Sequence, residues 1–284
     1  GAHECLKLDG VYGVAAPERR GRAQASTKAT VQARMEDGIN HTTGAGAALP
    51  QERPQQTLEQ FLRSLPKEMV PDTDLYGLLG ESKYFVANEV AGGSAMGWQH
   101  VLVTYLYTTE SDIYREVNRA LREARSEWND FAWWLRDALA NVPAPAKDIV
   151  YRGVPGAVEL DSYGPGSIIT WPAFSSTSRD WRVAIRFFQA VLDSGGEEEG
   201  EAQPRNLFVI RAQSAKAVSM CSAYPEEAEY LYPPGTQFQV RKIAGYNPAM
   251  FHFAGADLDF GWALTLEEAK QHTALTIYLE EVAG

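Results

Sequence analysis

The sequence contains little cysteine and little histidine. Of its 284 residues, two are cysteines (Cys5 and Cys221), and the five histidines stand far apart along the chain. Two cysteines exclude a disulfide framework and a cysteine-rich zinc site. Histidines without ligand spacing argue against a metal centre of another kind. We therefore expect no metal.

The chain also lacks an excess of basic charge and any long apolar run. Its formal net charge is −11. Nucleic-acid binding through a basic face requires clustered lysines and arginines, so we expect no nucleic-acid partner. No apolar run approaches the roughly 20 residues that a membrane-spanning helix needs. A secretory h-region near the start is not visible either.

Aromatic residues are nearly absent from positions 1–56, which are rich in Ala, Gln, Thr, Gly and Arg. Such a composition buries little surface, which predicts a disordered segment that is either a targeting or export tail, or a linker or propeptide remnant. If a methionine preceded Gly1, that glycine could be acylated, with Cys5 nearby for a second lipid. The acylation pattern prefers Ser or Thr at position 5, and "GAH" fits an expression scar equally well. Membrane association is expected only with this acylation.

Helical periodicity begins at Thr57 and continues to about residue 145. "TLEQFLRSLP" starts with an N-cap threonine, and "WQHVLVTYLYT", "SDIYREVNRALREARSE" and "WNDFAWWLRDALANVP" follow as further helices. From residue 146 to 284, short β-branched and aromatic runs alternate with Gly and Pro turns. The sequence therefore predicts an α+β domain over 57–284, with a helical layer (57–145) before a mostly antiparallel β core (146–284).

Two motifs in the β core carry side chains of chemical interest. Arg152, followed by Gly153, interrupts the apolar run "IVYRGV". A buried arginine needs either a structural carboxylate or an anionic ligand, and the glycine permits close approach to the backbone. Ser176, Thr177 and Ser178 end the run "AFSSTS". These hydroxyls can cap the next helix or orient a ligand or a neighbouring carboxylate.

A third motif, "YPEEAEYLYPPGTQFQV", places three glutamates within four positions. Glu227 and Glu229 are two residues apart, so an extended chain would point both carboxylates to one face. Like charges at that distance repel each other. Either the acids form a solvated loop, or a function requires the pair.

In this order, the three motifs resemble those of the arginine–serine–glutamate class of mono-ADP-ribosyltransferases. The matching pieces are "YRG" at 151–153, "FxSTS" at 174–178 and "YPxExE" at 224–229 followed by "PPGTxFxV". The resemblance extends over residues 98–282 and implies a two-sheet β core of the ADP-ribosyltransferase type. It also implies a reaction in which NAD is the substrate and ADP-ribose passes to a protein, with release of nicotinamide through an oxocarbenium-like transition state.

The resemblance assigns roles to individual residues. Glu229 would hold the ribose and stabilise the developing cation, with Ser176 orienting it. Arg152 would bind the NAD diphosphate and Gly153 the nicotinamide amide. Further NAD-binding positions by the same resemblance are Thr177, Ser178 and Phe187.

Glu227 stands at the position where this family carries glutamate when the acceptor is arginine. A guanidinium is protonated at neutral pH, so it needs a second carboxylate to bind it and take its proton. Tyr224 would help to recognise the target protein. Glu226 is expected to be a solvated neighbour.

The helical layer and the tail resemble plant-pathogen type III effectors of the XopAI group. This implies a secreted, toxin-like bacterial virulence effector that modifies a host protein inside the host cell, at the host membrane if it is acylated. Two alternatives remain open at the level of sequence. One is a catalytically silent interaction module with this fold, and the other is an NAD glycohydrolase that uses water as the acceptor.

Overall fold

Helices fill the first half of the described chain. The computed structural model describes residues 52–66, 69, 75–88, 95–109, 111–142, 148–186, 204–247 and 262–282. The first five helices are α1 (Leu58–Ser64), α2 (Leu75–Asn88), α3 (Trp98–Thr108), α4 (Ile113–Arg122) and α5 (Asn129–Asn141). Within these ranges, every helix is too short or too polar to cross a bilayer.

The helices begin and pack where the sequence pattern predicts. Thr57 caps α1 by accepting a hydrogen bond from the Gln60 N–H (3.2 Å), and the Gln60 side chain accepts one from the Thr57 N–H (2.8 Å). In α3, His100 Nδ1 accepts from the Gly97 N–H (3.1 Å). Because Nδ1 is the acceptor, Nε2 carries the proton that faces Asp137 Oδ2 of α5, 2.9 Å away. A partly buried polar contact thus joins two helices of the layer.

The described residues in the second half of the chain form an eight-stranded sheet. Its strands are β1 (Asp148–Pro155), β2 (Ile168–Trp171), β3 (Ser175–Ser178), β4 (Arg205–Ala212), β5 (Lys216–Ala217), β6 (Glu229–Tyr232), β7 (Thr236–Gly245) and β8 (Ala274–Glu281). Their order is β2-β7-β8-β4-β1-β3-β6-β5, and the β4–β8 pair is parallel whereas the other pairs are antiparallel. Helix α6 (Leu266–Ala269) precedes β8. The predicted α+β class and mostly antiparallel core are confirmed.

The family resemblance implied a core of two sheets, and in the structure the strands are hydrogen-bonded into one continuous sheet. β1 pairs with β4 along its whole length, but it meets β3 at a single residue pair, Tyr151 with Ser178. Ser178 is the last residue of β3, and its Oγ accepts from the Asp180 N–H (2.9 Å), which starts a turn. Only the end of β3 therefore reaches β1, and the sheet has a narrow join at this point.

The two largest hydrophobic cores among the described residues lie on either side of β3 and β6. The helical layer forms one of them, which also includes Phe174, just before β3, and Leu231 of β6. The other core is built from strands β1, β2, β4, β6, β7 and β8, with Trp171 at its centre. The strands that carry the serine and glutamate motifs are thus fixed from both sides.

The start of the described chain contacts the helical layer. The guanidinium of Arg53 lies 4.9 Å from the centre of the Trp134 ring, within the range of a cation–π contact. Gln56 Nε2 donates to Asp130 Oδ2 (2.6 Å). These two residues belong to the segment that composition assigned to the tail. Gly1 and Cys5 lie outside the described residues.

Phe131 at the centre of the helical core provides a test of this packing. It is fully buried in α5, so Phe131→Ala should leave a cavity and lower the free energy of unfolding by about 3–5 kcal/mol. Phe131→Leu should cost clearly less, because it keeps part of the buried volume. Urea denaturation followed by circular dichroism measures both. Equal losses for the two variants would contradict the packing described here.

Candidate active site

The three sequence motifs meet at the join between β1, β3 and β6. Arg152 and Gly153 lie in β1, Ser176, Thr177 and Ser178 lie in β3, and Glu229 is the first residue of β6. The antiparallel β3–β6 pair places Ser178 directly opposite Glu229 and Ser176 opposite Leu231. Residues that lie opposite each other in such a pair share one face of the sheet. The hydroxyl run and the buried acid are therefore neighbours.

Arg152 is fixed at the edge of this site by two contacts. Its Nη1 donates to the carbonyl oxygen of Ser176 (2.6 Å). Its guanidinium lies 5.7 Å from the centre of the buried Trp171 ring. Burial is the main reason that the pKa of nearby Tyr163 is raised, and the positive charge of Arg152 offsets part of that rise. A guanidinium is always protonated in proteins, so Arg152 places a positive charge beside the Trp171 ring that can bind an anion.

The hydroxyls of β3 hold residues 225–230, which we call the glutamate segment, in place. Thr177 Oγ1 donates to the carbonyl of Tyr230 (2.8 Å), and Ser178 Oγ donates to the carbonyl of Glu227 (2.6 Å). The Arg179 N–H donates to the carbonyl of Ala228 (3.2 Å). Three consecutive residues at the end of β3 therefore fix the chain on both sides of Glu229.

Residues 225–228, which precede Glu229 of β6, are not extended, and this corrects one prediction. Pro225–Glu227 form a turn of 3-10 helix, and Ala228 follows in the left-handed region with φ 45° and ψ 47°. The argument that residues two apart point to one face holds only for an extended chain, so it does not apply to Glu227 and Glu229. The turn bonds, Glu227 N–H to Tyr224 O (3.1 Å) and Ala228 N–H to Pro225 O (3.2 Å), explain the shape.

The two acids differ in their exposure to solvent. Glu229 is only 3% exposed, whereas Glu227 is half-buried and Glu226 is exposed. A buried carboxylate is costly and is retained where its charge is needed. A half-buried carboxylate beside it remains accessible to a second molecule. The site can therefore bind an anion at Arg152, stabilise a positive charge at Glu229 and offer a second carboxylate at Glu227.

The remaining predicted site residues are distributed around this centre. Gly153 lies in β1 opposite Leu207 of β4. Tyr224 is the residue that immediately precedes the 3-10 turn, and its N–H donates to Ser222 Oγ (3.0 Å). Phe187 lies outside the described residues.

Two residues that contact the site were not anticipated from the sequence. Trp171, whose ring faces Arg152, ends β2 a few residues before the serine motif. The presence of an aromatic residue at the end of a strand could have indicated this contact from the sequence. Thr108, at the end of α3, accepts from the Ala223 N–H (2.8 Å). A hydroxyl at a helix end is too common to have suggested this contact.

A metal centre has no counterpart in the parts of the chain that the structure describes. Across these ranges, no three or more His, Cys, Asp or Glu side chains form a group that could hold a metal ion.

A family model describes the region in which this site lies. The model for NAD:arginine ADP-ribosyltransferases matches residues 86–249, more than half of the chain. A Mycobacterium avium protein that bears the name NAD(+)–arginine ADP-ribosyltransferase Mav is 37% identical over 131 residues, which is 45% of this chain and 14% of that protein. Ecto-ADP-ribosyltransferase 5 of Bos taurus is 26% identical over 162 residues, 51% of this chain and 46% of the bovine protein. The chain thus spans less than half the length of either relative.

Solved structures share the fold of this chain. The type III effector XopAI of Xanthomonas axonopodis pv. citri superposes with a TM-score of 0.52 and 20% identity, covering 93% of this chain and 99% of that one. The ADP-ribosyltransferase HopU1 of Pseudomonas syringae pv. Tomato DC3000 has a TM-score of 0.55 and 18% identity, covering 81% and 100%. At these identities the likeness concerns the fold.

Ser178→Ala tests whether the hydroxyls of β3 hold the glutamate segment. The change removes the hydrogen bond to Glu227 O and the acceptor of the Asp180 N–H, so we expect the free energy of unfolding to fall by about 1–3 kcal/mol. Ser162→Ala is the control, since its hydroxyl bonds the exposed Glu159 (3.2 Å), and should change stability by about 0.5 kcal/mol or less. Similar values for both variants in urea denaturation would show that Ser178 does not hold the segment.

Cys221 tests the burial of the chain that leads into the glutamate turn. Its side chain is 1% exposed, and burial raises the pKa of the thiol to about 12. Because the thiolate is the reactive form, Cys221 in the folded protein should not react with a thiol reagent at pH 8. Full reaction is expected in denaturant. Cys5→Ser leaves Cys221 as the single thiol, and rapid labelling of this native variant would contradict the structure.

Proposed function

Because the chain belongs to the NAD:arginine ADP-ribosyltransferase family, we propose that it transfers ADP-ribose from NAD to an arginine side chain of a target protein and releases nicotinamide. The observation that carries this proposal is the register of β3 and β6, which sets the buried Glu229 opposite Ser178 of β3, the strand that lies between Glu229 and Arg152 of β1. These are the side chains that the reaction needs, and they lie within the region that the family model matches.

Glu229 is proposed to stabilise the sugar cation. When the bond between nicotinamide and C1 of the ribose breaks, the bond electrons go to the pyridinium nitrogen and nicotinamide leaves as a neutral molecule. The positive charge then lies on the ribose ring, as in glycoside hydrolysis. A carboxylate in a water-poor site stabilises that charge strongly, and Glu229 is only 3% exposed. Its carboxylate is also proposed to bind the ribose hydroxyl.

NAD is proposed to bind along β1 and β3. Arg152 would bind the diphosphate, because a guanidinium matches phosphate oxygens in pairs and its contact with Ser176 O fixes its direction. Ser176 is the diagonal neighbour of Glu229 on the same face and would orient the acid. The other proposed contacts to NAD are Gly153, Thr177, Ser178 and Phe187.

Glu227 is proposed to activate the acceptor. A protonated guanidinium has no free electron pair for attack, so the nitrogen must lose a proton as its bond to C1 of the ribose forms. A half-buried carboxylate two residues from Glu229 can bind the arginine and accept that proton. Tyr224, at the start of the same turn, would contact the target protein. In this proposal, Tyr224 and Glu227 contact the acceptor protein, whereas Glu229 contacts the ribose.

We also propose a domain organisation for the chain, a class of target protein and a place of action. Residues 1–56 would be a targeting or export tail, and residues 57–284 the transferase domain, with a helical part (57–145) and a β core (146–284). The target would be a protein of a host cell, to which the chain is delivered as a secreted bacterial effector; residence at the host membrane would require acylation at Gly1 or Cys5. The composition of the tail supports this setting, and a fold shared with XopAI over 93% of this chain is consistent with it.

Labelled NAD tests the setting. The full chain is incubated with lysates of eukaryotic cells and of bacteria, with Glu229→Gln protein as the control. A protein that is labelled only in the eukaryotic lysate, and only by the wild type, supports a host target. Labelling confined to bacterial proteins would refute it.

Three glutamine substitutions in one segment test the chemistry. Glu229→Gln should reduce nicotinamide release to water and transfer to an arginine acceptor by about 100-fold or more, because it removes the charge that stabilises the cation. Glu227→Gln should abolish transfer to arginine while it keeps hydrolysis of NAD. Glu226→Gln, at the exposed position, should keep both activities. Chromatography of nicotinamide and of labelled acceptor measures the two rates.

Each alternative function predicts a different result for the same proteins. Hydrolysis without transfer by the wild type to any arginine acceptor would indicate an NAD glycohydrolase. Neither activity, in a folded protein that does not bind NAD, would indicate a silent interaction module. Retention of transfer by Glu227→Gln would refute the role of Glu227.

A further inference from the structure

The end of α3 contacts two different parts of the site with consecutive residues. The hydroxyl of Tyr107 donates to the carbonyl of Phe174 (3.4 Å), immediately before the serine motif, and itself accepts from Asn118 Nδ2 (2.9 Å). The hydroxyl of Thr108 accepts from the Ala223 N–H (2.8 Å), immediately before Tyr224. The helical layer therefore holds the serine motif and the glutamate turn relative to each other.

The Thr108 hydroxyl is a hydrogen-bond donor and a hydrogen-bond acceptor at the same time. The side chain is 1% exposed, and its Oγ1 donates to the carbonyl of Tyr105 (2.9 Å) within α3. A hydroxyl has one proton, so the proton faces Tyr105 and a lone pair faces the Ala223 N–H. One residue later, Ser222 Oγ accepts from the Tyr224 N–H. The start of the turn is thus tied to α3 through a buried, oriented hydrogen bond.

Glu229 and the turn before it are held by different contacts. Glu229 is fixed by the β3–β6 ladder, and its carbonyl accepts from the Val218 N–H (3.0 Å). The segment from Ala223 to Glu227 has left this ladder, and it is tied at one end by Thr108 and at the other by Ser178. Loss of the Thr108 contact should therefore move Tyr224 and Glu227 more than it moves Glu229.

We propose that Thr108 is a positioning residue that sets the acceptor specificity of the enzyme, because it orients the turn that presents Tyr224 and Glu227 to the target arginine. This inference rests on the proposed function of that turn. Thr108 lies 115 residues before Ala223 in the sequence. According to this inference, the helical layer therefore controls whether arginine or water is the acceptor.

Three variants of neighbouring threonines test this role. Thr108→Val keeps the shape but removes the acceptor for the Ala223 N–H, whereas Thr108→Ser keeps the hydroxyl. Thr109→Val is the matched control, since the Thr109 hydroxyl is also buried but donates within the helix end to Leu106 O (2.7 Å). For each protein, release of nicotinamide to water and transfer to arginine methyl ester are measured against acceptor concentration, together with urea stability.

Thr108→Val is expected to lower kcat/KM for the acceptor about tenfold, mainly through KM, which is the effect of leaving one N–H without its partner. The ratio of transfer to hydrolysis should fall by a similar factor. Thr108→Ser should restore both to within about twofold of the wild type. Thr109→Val should lower stability without a change in the ratio. Equal loss of hydrolysis and transfer in Thr108→Val would reduce Thr108 to a structural residue and overturn the inference.

Hydrogen exchange separates failure of this inference from failure of the proposed function. In Thr108→Val, the backbone amides of Ala223, Tyr224, Glu226 and Glu227 should exchange faster than in the wild type, whereas those of β6 should not. Thr109→Val should leave both segments unchanged. Unchanged exchange in residues 223–227 would refute the positioning role even if the enzyme is active. Absence of both activities in the wild type would refute the proposed function, and acceptor specificity would fall with it.

Discussion

The pairing of β3 with β6 is the constraint on which the rest of the site depends. In this register Ser178 lies opposite Glu229, and the Thr177 and Ser178 hydroxyls each donate to a carbonyl of the glutamate segment. A slip by one residue would turn Glu229 to the other face of the sheet, because side chains alternate along a strand. These side-chain hydrogen bonds add to the ladder and make such a slip costly. The position of the buried acid is therefore set by backbone pairing.

Burial of Glu229 costs folding free energy, and the hydrophobic cores on either side of β3 and β6 offset that cost. Removing a carboxylate from water is unfavourable, so favourable packing elsewhere must compensate for it. Phe174, just before β3, belongs to the core of the helical layer, and so does Leu231 of β6. Trp171 on the other side belongs to the core of the sheet and packs against Phe238 at 4.5 Å between ring centres. The stability of both cores offsets the cost of the acid.

The turn before β6 explains how two neighbouring acids can serve different purposes. The 3-10 turn and the left-handed Ala228 separate the environments of Glu227 and Glu229, so one carboxylate is half-buried and the other is 3% exposed. In the proposed reaction, the first faces the protein acceptor and the second faces the sugar. The crowding of acids in the sequence thus corresponds to two environments, and the proposed reaction requires both.

Local patterns in the sequence determined much of the fold. Helix α1 begins at the predicted threonine and the β-branched runs became the strands, and each of these features depends on residues close together in the chain. The meeting of the three motifs was implied instead by the resemblance of their ordered set to a family, since the motifs lie far apart in the chain. Contacts between distant residues leave no such pattern. The hydrogen bond from Ala223 to Thr108, the contact of Arg152 with Trp171 and the positive φ of Ala228 were decided by the tertiary structure. An alanine seldom adopts that conformation. Two hydrogen bonds hold it here: the Arg179 N–H donates to the carbonyl of Ala228, and the Ser178 hydroxyl donates to the carbonyl of Glu227.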